Sequence, residues 1–136
     1  MEMEIRLSDG KRVDARFEGY LVKTDQPPLG GGGGMAPTPF ELFLASIGTC
    51  AGVYVSGFCR SRGITTDGIY IRQIAHTNPI TGMIDNIDLE IQLPDDFPDQ
   101  YRESVVRAAE KCAVKKHLES PPSFSVRQVT PVHALA

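Results

Sequence analysis

The 136-residue sequence has no tryptophan, only three cysteines and only three histidines. So few cysteines, and an odd number of them, do not fit the disulfide framework of a small secreted protein. The histidines show none of the spacings typical of metal-binding motifs, so we expect no metal. The formal net charge is −3, without the excess of positive charge that marks most nucleic-acid-binding proteins. We therefore expect no nucleic-acid partner.

The amino-terminal sequence MEMEIRLSDGKR has no apolar run typical of a secretory signal peptide. We therefore expect a cytoplasmic protein with reduced thiols. One uncharged stretch, Leu42–Cys59, just reaches the length needed to cross a membrane. Its glycines, serines and threonine are more typical of a helix in the core of a soluble protein, so we expect no membrane partner.

Alternation of apolar and polar residues, together with turn-forming pairs such as Asp9-Gly10, predicts a chain rich in antiparallel strands. The predicted strands are residues 3–7, Arg12–Phe17, Tyr20–Thr24, Gly68–His76 and Met83–Leu93, with a last strand around Phe124, Val126 and Val129. Five consecutive glycines, Gly30–Gly34, are followed by Met35-Ala36 rather than by Lys-Ser/Thr. This run therefore predicts a surface loop and not a phosphate-binding loop.

Three signals agree on the start of a long first helix. Thr38 is a good N-cap, Pro39 suits the first helical position, and Glu41 completes a T-x-x-E capping box. The pattern predicts a helix that ends at about Ser61.

A second helix is predicted from near Pro98 to the Pro121-Pro122 pair. Its spacing places four residues on one buried face: Tyr101, Val105, Ala108 and Cys112. Strands alternating with two helices in this order predict the α+β class, with antiparallel sheet on one side of the helices.

The cysteines are the candidate reactive groups. Cys50 and Cys59 lie about 13.5 Å apart along one helix, too far for a disulfide, so any bridge within the chain must involve Cys112. Buried cysteines also serve simply as small apolar packing residues. Small residues at every fourth position, Gly48, Gly52 and Ser56, allow close approach either of the Cys112 helix or of the same helix in a second copy.

Two segments resemble the cysteine motifs of one family. APTPFELFLASIGTCAGVYV and AAEKCAVKKHLESPP are similar to the two motifs of the OsmC/Ohr family, osmotically inducible protein C and the organic hydroperoxide resistance proteins. The similarity is greater to the OsmC-like branch and extends over essentially the whole chain. It implies a single OsmC-like domain over residues 1–136.

The resemblance also implies an architecture: antiparallel sheets around a long buried central helix and a second helix, in an intertwined homodimer with active sites at the interface. It implies a thiol peroxidase that acts on organic hydroperoxides without a cofactor. Cys50 matches the peroxidatic cysteine and Cys112 the resolving one, while an arginine, Arg12 or else Arg16, and Glu41 would assist. An external dithiol of lipoyl or thioredoxin type would reduce the enzyme again.

The chain departs from the family pattern at two positions. Phe40 stands where the Ohr branch has its glutamate, so the carboxylate comes one residue later, and Glu41 is also explained by the capping box. Ala113 follows the second cysteine where many members have proline. These departures leave two other hypotheses: a thiol redox sensor or sulfur-handling protein on the same scaffold, and a non-catalytic small-ligand-binding dimer with packing cysteines.

Overall fold

The computed structural model describes residues 1–131, which form two antiparallel sheets, three α-helices and two short 3₁₀ turns. His133 lies outside the described residues. The strands are β1 (Glu4–Leu7), β2 (Val13–Phe17), β3 (Tyr20–Thr24), β4 (Tyr70–Thr77) and β5 (Ile84–Gln92). The helices are α1 (Pro39–Ser61), α2 (Arg102–Ala109) and α3 (Ala113–Glu119). The α+β class expected from the sequence is confirmed.

The first three strands form the meander that the turn residues predict. β1 pairs with β2 and β2 with β3, both antiparallel. The second hairpin turns on Glu18 and Gly19, whose φ angles are +47° and +83°. Two successive positive φ angles match the right-handed twist of the strands, and this explains why a glycine stands in the turn.

The glycine run folds around one buried carboxylate. Asp25 is 1% exposed and accepts hydrogen bonds from the backbone N–H groups of Gln26 at 2.7 Å and Met35 at 3.1 Å. These backbone donors hold the pKa of Asp25 below its usual value. A Cβ at Gly32 would lie 2.0 Å from the carbonyl oxygen of Gln26, so this close approach requires glycine. Because the loop directs these amides at its own aspartate, it does not resemble a phosphate-binding loop.

The start and end of α1 are as predicted. The Thr38 hydroxyl accepts from the Glu41 N–H, and the Glu41 carboxylate accepts from the Thr38 N–H, each at 3.1 Å. One face of the helix is buried, with Ile47, Ala51, Val55 and Cys59 at every fourth position. Among residues 1–131, α1 alone is long and apolar enough to cross a membrane, a test that core helices of soluble proteins also pass.

The small residues of α1 admit a strand rather than α2 or α3. A Cβ at Gly48 would lie 2.5 Å from the side-chain oxygen of Gln73 on β4, and one at Gly52 would contact Ile71. The Gln73 amide also donates to the carbonyl oxygen of Leu44 at 2.9 Å. Within the chain, therefore, β4 lies against these glycines, and of the two alternatives the one in which this face receives the Cys112 helix is wrong.

The core lies where α1 crosses α2 beneath the β4–β5 hairpin. Its fully buried members are Ala51, Val55, Cys59, Phe97, Val105 and Ala109. Isoleucine and leucine side chains from β4 and β5 pack against this cluster. This packing fixes α1 as the rigid element on which the candidate site is built.

The predicted second helix is interrupted. A 3₁₀ turn, Asp99–Tyr101, leads into α2, which ends at Ala109, and a separate helix, α3, begins at Ala113. Cys112 has an extended backbone (φ −52°, ψ 129°), and its sulfur accepts from the Lys115 N–H at 3.5 Å. Cys112 is thus the N-cap of a new helix and not a residue within the predicted one. Cysteine is not among the common N-cap residues, and for this reason the sequence did not indicate the break.

The last predicted strand is absent from the described chain. Residues 121–131 have no regular secondary structure, and Phe124 and Val126 are 86% and 98% exposed. The alternation is present, but no apolar surface of the same chain covers these side chains. Without that burial, nothing offsets the entropy cost of ordering a strand.

Candidate functional site

The site is built where the break between α2 and α3 meets the middle of α1. Cys50 on α1 and Cys112 at the N-cap of α3 are both free thiols, and Cys112 lies close enough to Cys50 to lower its pKa. Cys112 also donates a long, weak hydrogen bond to the carbonyl oxygen of Ile47, with sulfur and oxygen 3.9 Å apart. Two cysteines separated by 62 positions in the sequence are thus brought close together.

The first turn of α3 acts on Cys50. The backbone N–H of Val114 is the main cause that lowers the pKa of Cys50, and the Cys112 thiol and the Ala113 N–H act in the same direction. These donors stabilise the thiolate more than partial burial opposes it. Cys50 is half-buried, and it is therefore the more exposed residue of the pair.

Cys112 has the opposite character. It is 1% exposed, and burial is the largest cause that raises the pKa of its thiol. Cys50 raises that pKa further, because the protonated Cys112 thiol donates toward the Cys50 sulfur and, to a smaller extent, because two thiolates side by side repel each other. The two thiols therefore differ in acidity: Cys50 is the more acidic of the pair and Cys112 the less acidic.

The departure from the family pattern at Ala113 has a physical consequence for Cys50. Its N–H is one of the donors that lower the pKa of Cys50. Proline at this position would fit the first turn of a helix but would lack that N–H. Sequence reasoning singled out Ala113 only as a departure and did not find the amides of Ala113 and Val114 as functional groups.

Arg12 and Glu41 lie elsewhere in the chain. Arg12 directly precedes β2, pairs with Asp9 at 3.7 Å, and acts on the pKa of Asp25 rather than on that of Cys50. Glu41 lies in the capping box, about 13.5 Å along α1 from Cys50. The alternative arginine, Arg16, is on β2. Of the predicted site residues, a single chain brings together Cys50 and Cys112 only.

Cys59 is separate from the site. It is fully buried in the core cluster, and burial raises the pKa of its thiol. A buried, protonated thiol behaves as a small apolar side chain. In the part of the chain that the structure describes, no three histidine, cysteine or acidic side chains are grouped closely enough to hold a metal ion.

Comparison of the sequence with known families shows the family to which the chain belongs. The sequence profile of the OsmC-like proteins matches residues 31–127, a segment that contains both cysteines of the site. The chain belongs to the OsmC-like protein family. A search among curated proteins gave no match.

Several solved structures have the same fold. A Psychrobacter arcticus protein assigned to osmotic-stress and detoxification responses aligns with a TM-score of 0.71 at 18% identity, covering 84% of this chain and 85% of that one. The OsmC-like protein of Mycoplasma pneumoniae aligns at 0.69 with 13% identity, covering 88% and 87%. The organic hydroperoxide resistance protein OsmC of Legionella pneumophila aligns at 0.53 with 18% identity, covering 87% and 89%. At these identities the likeness concerns the fold.

The contrast between the three thiols predicts their order of alkylation. Since the thiolate is the nucleophile, Cys50 reacts with iodoacetamide first, and its rate rises with pH to a plateau whose midpoint lies below that of an ordinary thiol. Cys59 and Cys112, buried and protonated, react later and at higher pH. Peptide mapping by mass spectrometry after timed alkylation measures this order, with the Cys50→Ser variant as the control that lacks the fast phase. Alkylation of Cys59 or Cys112 before Cys50 would contradict it.

Proposed function

We propose that this protein is a two-cysteine thiol peroxidase that reduces organic hydroperoxides to alcohols. The observation that supports the proposal is the proximity of Cys50, which is half-buried and has a lowered pKa, to Cys112, which is buried and has a raised pKa. Membership of the OsmC-like family is consistent with this chemistry.

The first step is attack by Cys50 on the peroxide. Its thiolate displaces the alkoxide by forming an S–O bond as the O–O bond breaks, and the alkoxide takes up a proton to leave as the alcohol. Cys50 is then a sulfenic acid. Of the aromatic side chains on α1, Phe40, Phe43 and Tyr54 would favour a peroxide with an organic group. Phe58 packs instead against Tyr101 and the core cluster.

The second step is condensation of the two cysteines. Cys112 loses its proton and attacks the sulfur of the sulfenic acid, which releases water and leaves a Cys50–Cys112 disulfide. Formation of the sulfenic acid on Cys50 favours this step, because it makes the Cys112 thiol easier to deprotonate. As a neutral sulfenic acid, Cys50 no longer raises the pKa of Cys112 through its negative charge, while the Lys115 N–H still stabilises the Cys112 thiolate.

The cycle closes outside the protein. Thiol–disulfide exchange with an external dithiol of lipoyl or thioredoxin type returns both cysteines to the reduced state. A cycle that depends on such a donor requires a reducing compartment, and this supports a cytoplasmic location.

The functional unit in this proposal is a homodimer. In the single chain, α1 leaves Phe40 54% and Val53 67% exposed, and Phe124 on the carboxyl-terminal segment is also uncovered. A second copy would bury these apolar side chains. Since Arg12 and Glu41 are distant from Cys50 in their own chain, we assign them to the Cys50 of the partner. There the guanidinium would stabilise the thiolate and the carboxylate would orient the guanidinium.

Single substitutions test the roles of the cysteines. Cys50→Ser abolishes turnover of cumene hydroperoxide with a dithiol donor, because the nucleophile is lost. Cys112→Ser allows one equivalent of peroxide to react and then stalls at the sulfenic acid. The matched control is Cys59→Ser, which retains wild-type turnover. Full peroxide consumption by Cys50→Ser would overturn the proposal.

A second test concerns Arg12 and Glu41. Glu41→Gln keeps an amide oxygen for the capping box, so the Tm stays near that of the wild type while the carboxylate charge is lost. Removal of a charge-assisted contact in Arg12→Ala or Glu41→Gln lowers kcat/KM by about tenfold to a hundredfold. Arg16→Ala is the control for Arg12. If Arg12→Ala is active and Arg16→Ala is not, the arginine has been misassigned. If both retain full activity, neither of these two arginines assists.

One observation favours a second candidate, a thiol redox sensor or sulfur-handling protein. Backbone amides, and not a guanidinium of the same chain, lower the pKa of Cys50. Such a site suits exchange with disulfides or persulfides as well as with peroxides. Slow reaction with organic hydroperoxides together with fast exchange with a persulfide donor would identify this function.

A further inference from the structure

A cavity of about 360 Å³ borders Cys112 on a side that Cys50 does not reach. It lies between β5 and the pair α2 and α3. Its lining includes Cys112 and five apolar side chains, Ile87, Leu89, Ile91, Val106 and Leu118. We refer to this space, defined by these six residues, as the Cys112 cavity.

The lining indicates what the cavity admits. Among the described residues that line the cavity, two are charged, Glu110 and Lys115. Their charges have opposite signs, so the cavity has no net preference for an anionic or a cationic group. The rest of the wall is mostly aliphatic, which favours an uncharged, extended apolar group. The cavity does not serve as the peroxide site, because Cys50, whose sulfur attacks the peroxide, does not line it.

The group that does need to reach Cys112 is the reductant. On the proposed peroxidase cycle, which this step presupposes, each turnover leaves a disulfide that a dithiol must open. We infer that the Cys112 cavity receives the apolar arm of that dithiol, and that the attacking sulfur bonds to Cys112 rather than to Cys50.

The chemistry of thiol–disulfide exchange favours attack on Cys112 with Cys50 as the leaving group. A reductant thiolate forms a bond to the Cys112 sulfur, the Cys50–Cys112 bond breaks, and its electron pair leaves on Cys50. Exchange is faster when the departing thiol is the more acidic one, and the pKa of Cys50 is lowered while that of Cys112 is raised. The second thiol of the reductant then attacks its own bound sulfur and releases Cys112. Overall the dithiol loses two electrons and two protons to the two cysteines.

Monothiol probes test the site of attack, because they cannot complete the second step. The protein is first oxidised with diamide, treated with 6-mercaptohexan-1-ol, quenched with N-ethylmaleimide and mapped by mass spectrometry. We expect the probe on Cys112 and maleimide on Cys50. The probe on Cys50 would overturn the inference, as would failure of diamide to form the disulfide. Since no peroxide is used, failure of peroxide turnover remains a separate result.

Probe length tests the cavity itself. After normalisation to their rates with cystine, 6-mercaptohexan-1-ol should react at least about tenfold faster than 2-mercaptoethanol, because its four additional methylenes are buried. Val106→Trp and Leu118→Trp, at positions 43% and 49% exposed, fill the cavity and should abolish this preference while 2-mercaptoethanol still reacts. Leu29→Trp, at a fully exposed position, is the matched control and should keep it. Equal normalised rates for both probes in the wild type would overturn the inference.

Discussion

The candidate site depends on the short break between α2 and α3. Because the helix stops at Ala109 and restarts at Ala113, Cys112 becomes an N-cap, and the first amides of α3 are directed at Cys50. An uninterrupted helix would have bonded those N–H groups to its own preceding carbonyls. One local change of backbone direction therefore makes the contact between the sulfurs and also creates the unequal thiols that the chemistry requires.

The rest of the fold holds that contact in place. The first helix is fixed by a buried face that recurs every fourth residue, and Cys50 lies directly beside one of its members, Ala51. On its other side β4 approaches closely because Gly48 has no side chain. Asp25 organises the glycine loop that precedes α1. Cys50 is therefore carried by a rigid element, whereas the carboxyl-terminal segment and the amino-terminal sheet leave apolar residues such as Ile5 and Phe124 uncovered.

Local signals predicted the parts of the fold that local interactions determine. The capping box located the start of α1, and the turn pairs located the hairpins, because a few neighbouring residues fix each of them. The break at Cys112 was missed because the apolar spacing from Tyr101 to Cys112 continues through it and a sulfur serves as the cap. The strand at Phe124 was predicted wrongly. Alternation of apolar and polar residues indicates that one face of a segment can be buried, but it does not indicate which surface would bury it. The motif resemblance indicated the cysteine pair, but no residue pattern indicated that backbone amides would activate Cys50.

The proposed cycle requires the sulfurs of Cys50 and Cys112 to bond to each other after peroxide has reacted. The most direct measurement is the intact mass and thiol count of the wild-type chain after one equivalent of cumene hydroperoxide, followed by peptide mapping. The account predicts the loss of two hydrogens from a single chain, with the new bond between Cys50 and Cys112 and with Cys59 still free. Oxygen added to Cys50 without a bridge, or three thiols unchanged by the peroxide, would contradict it.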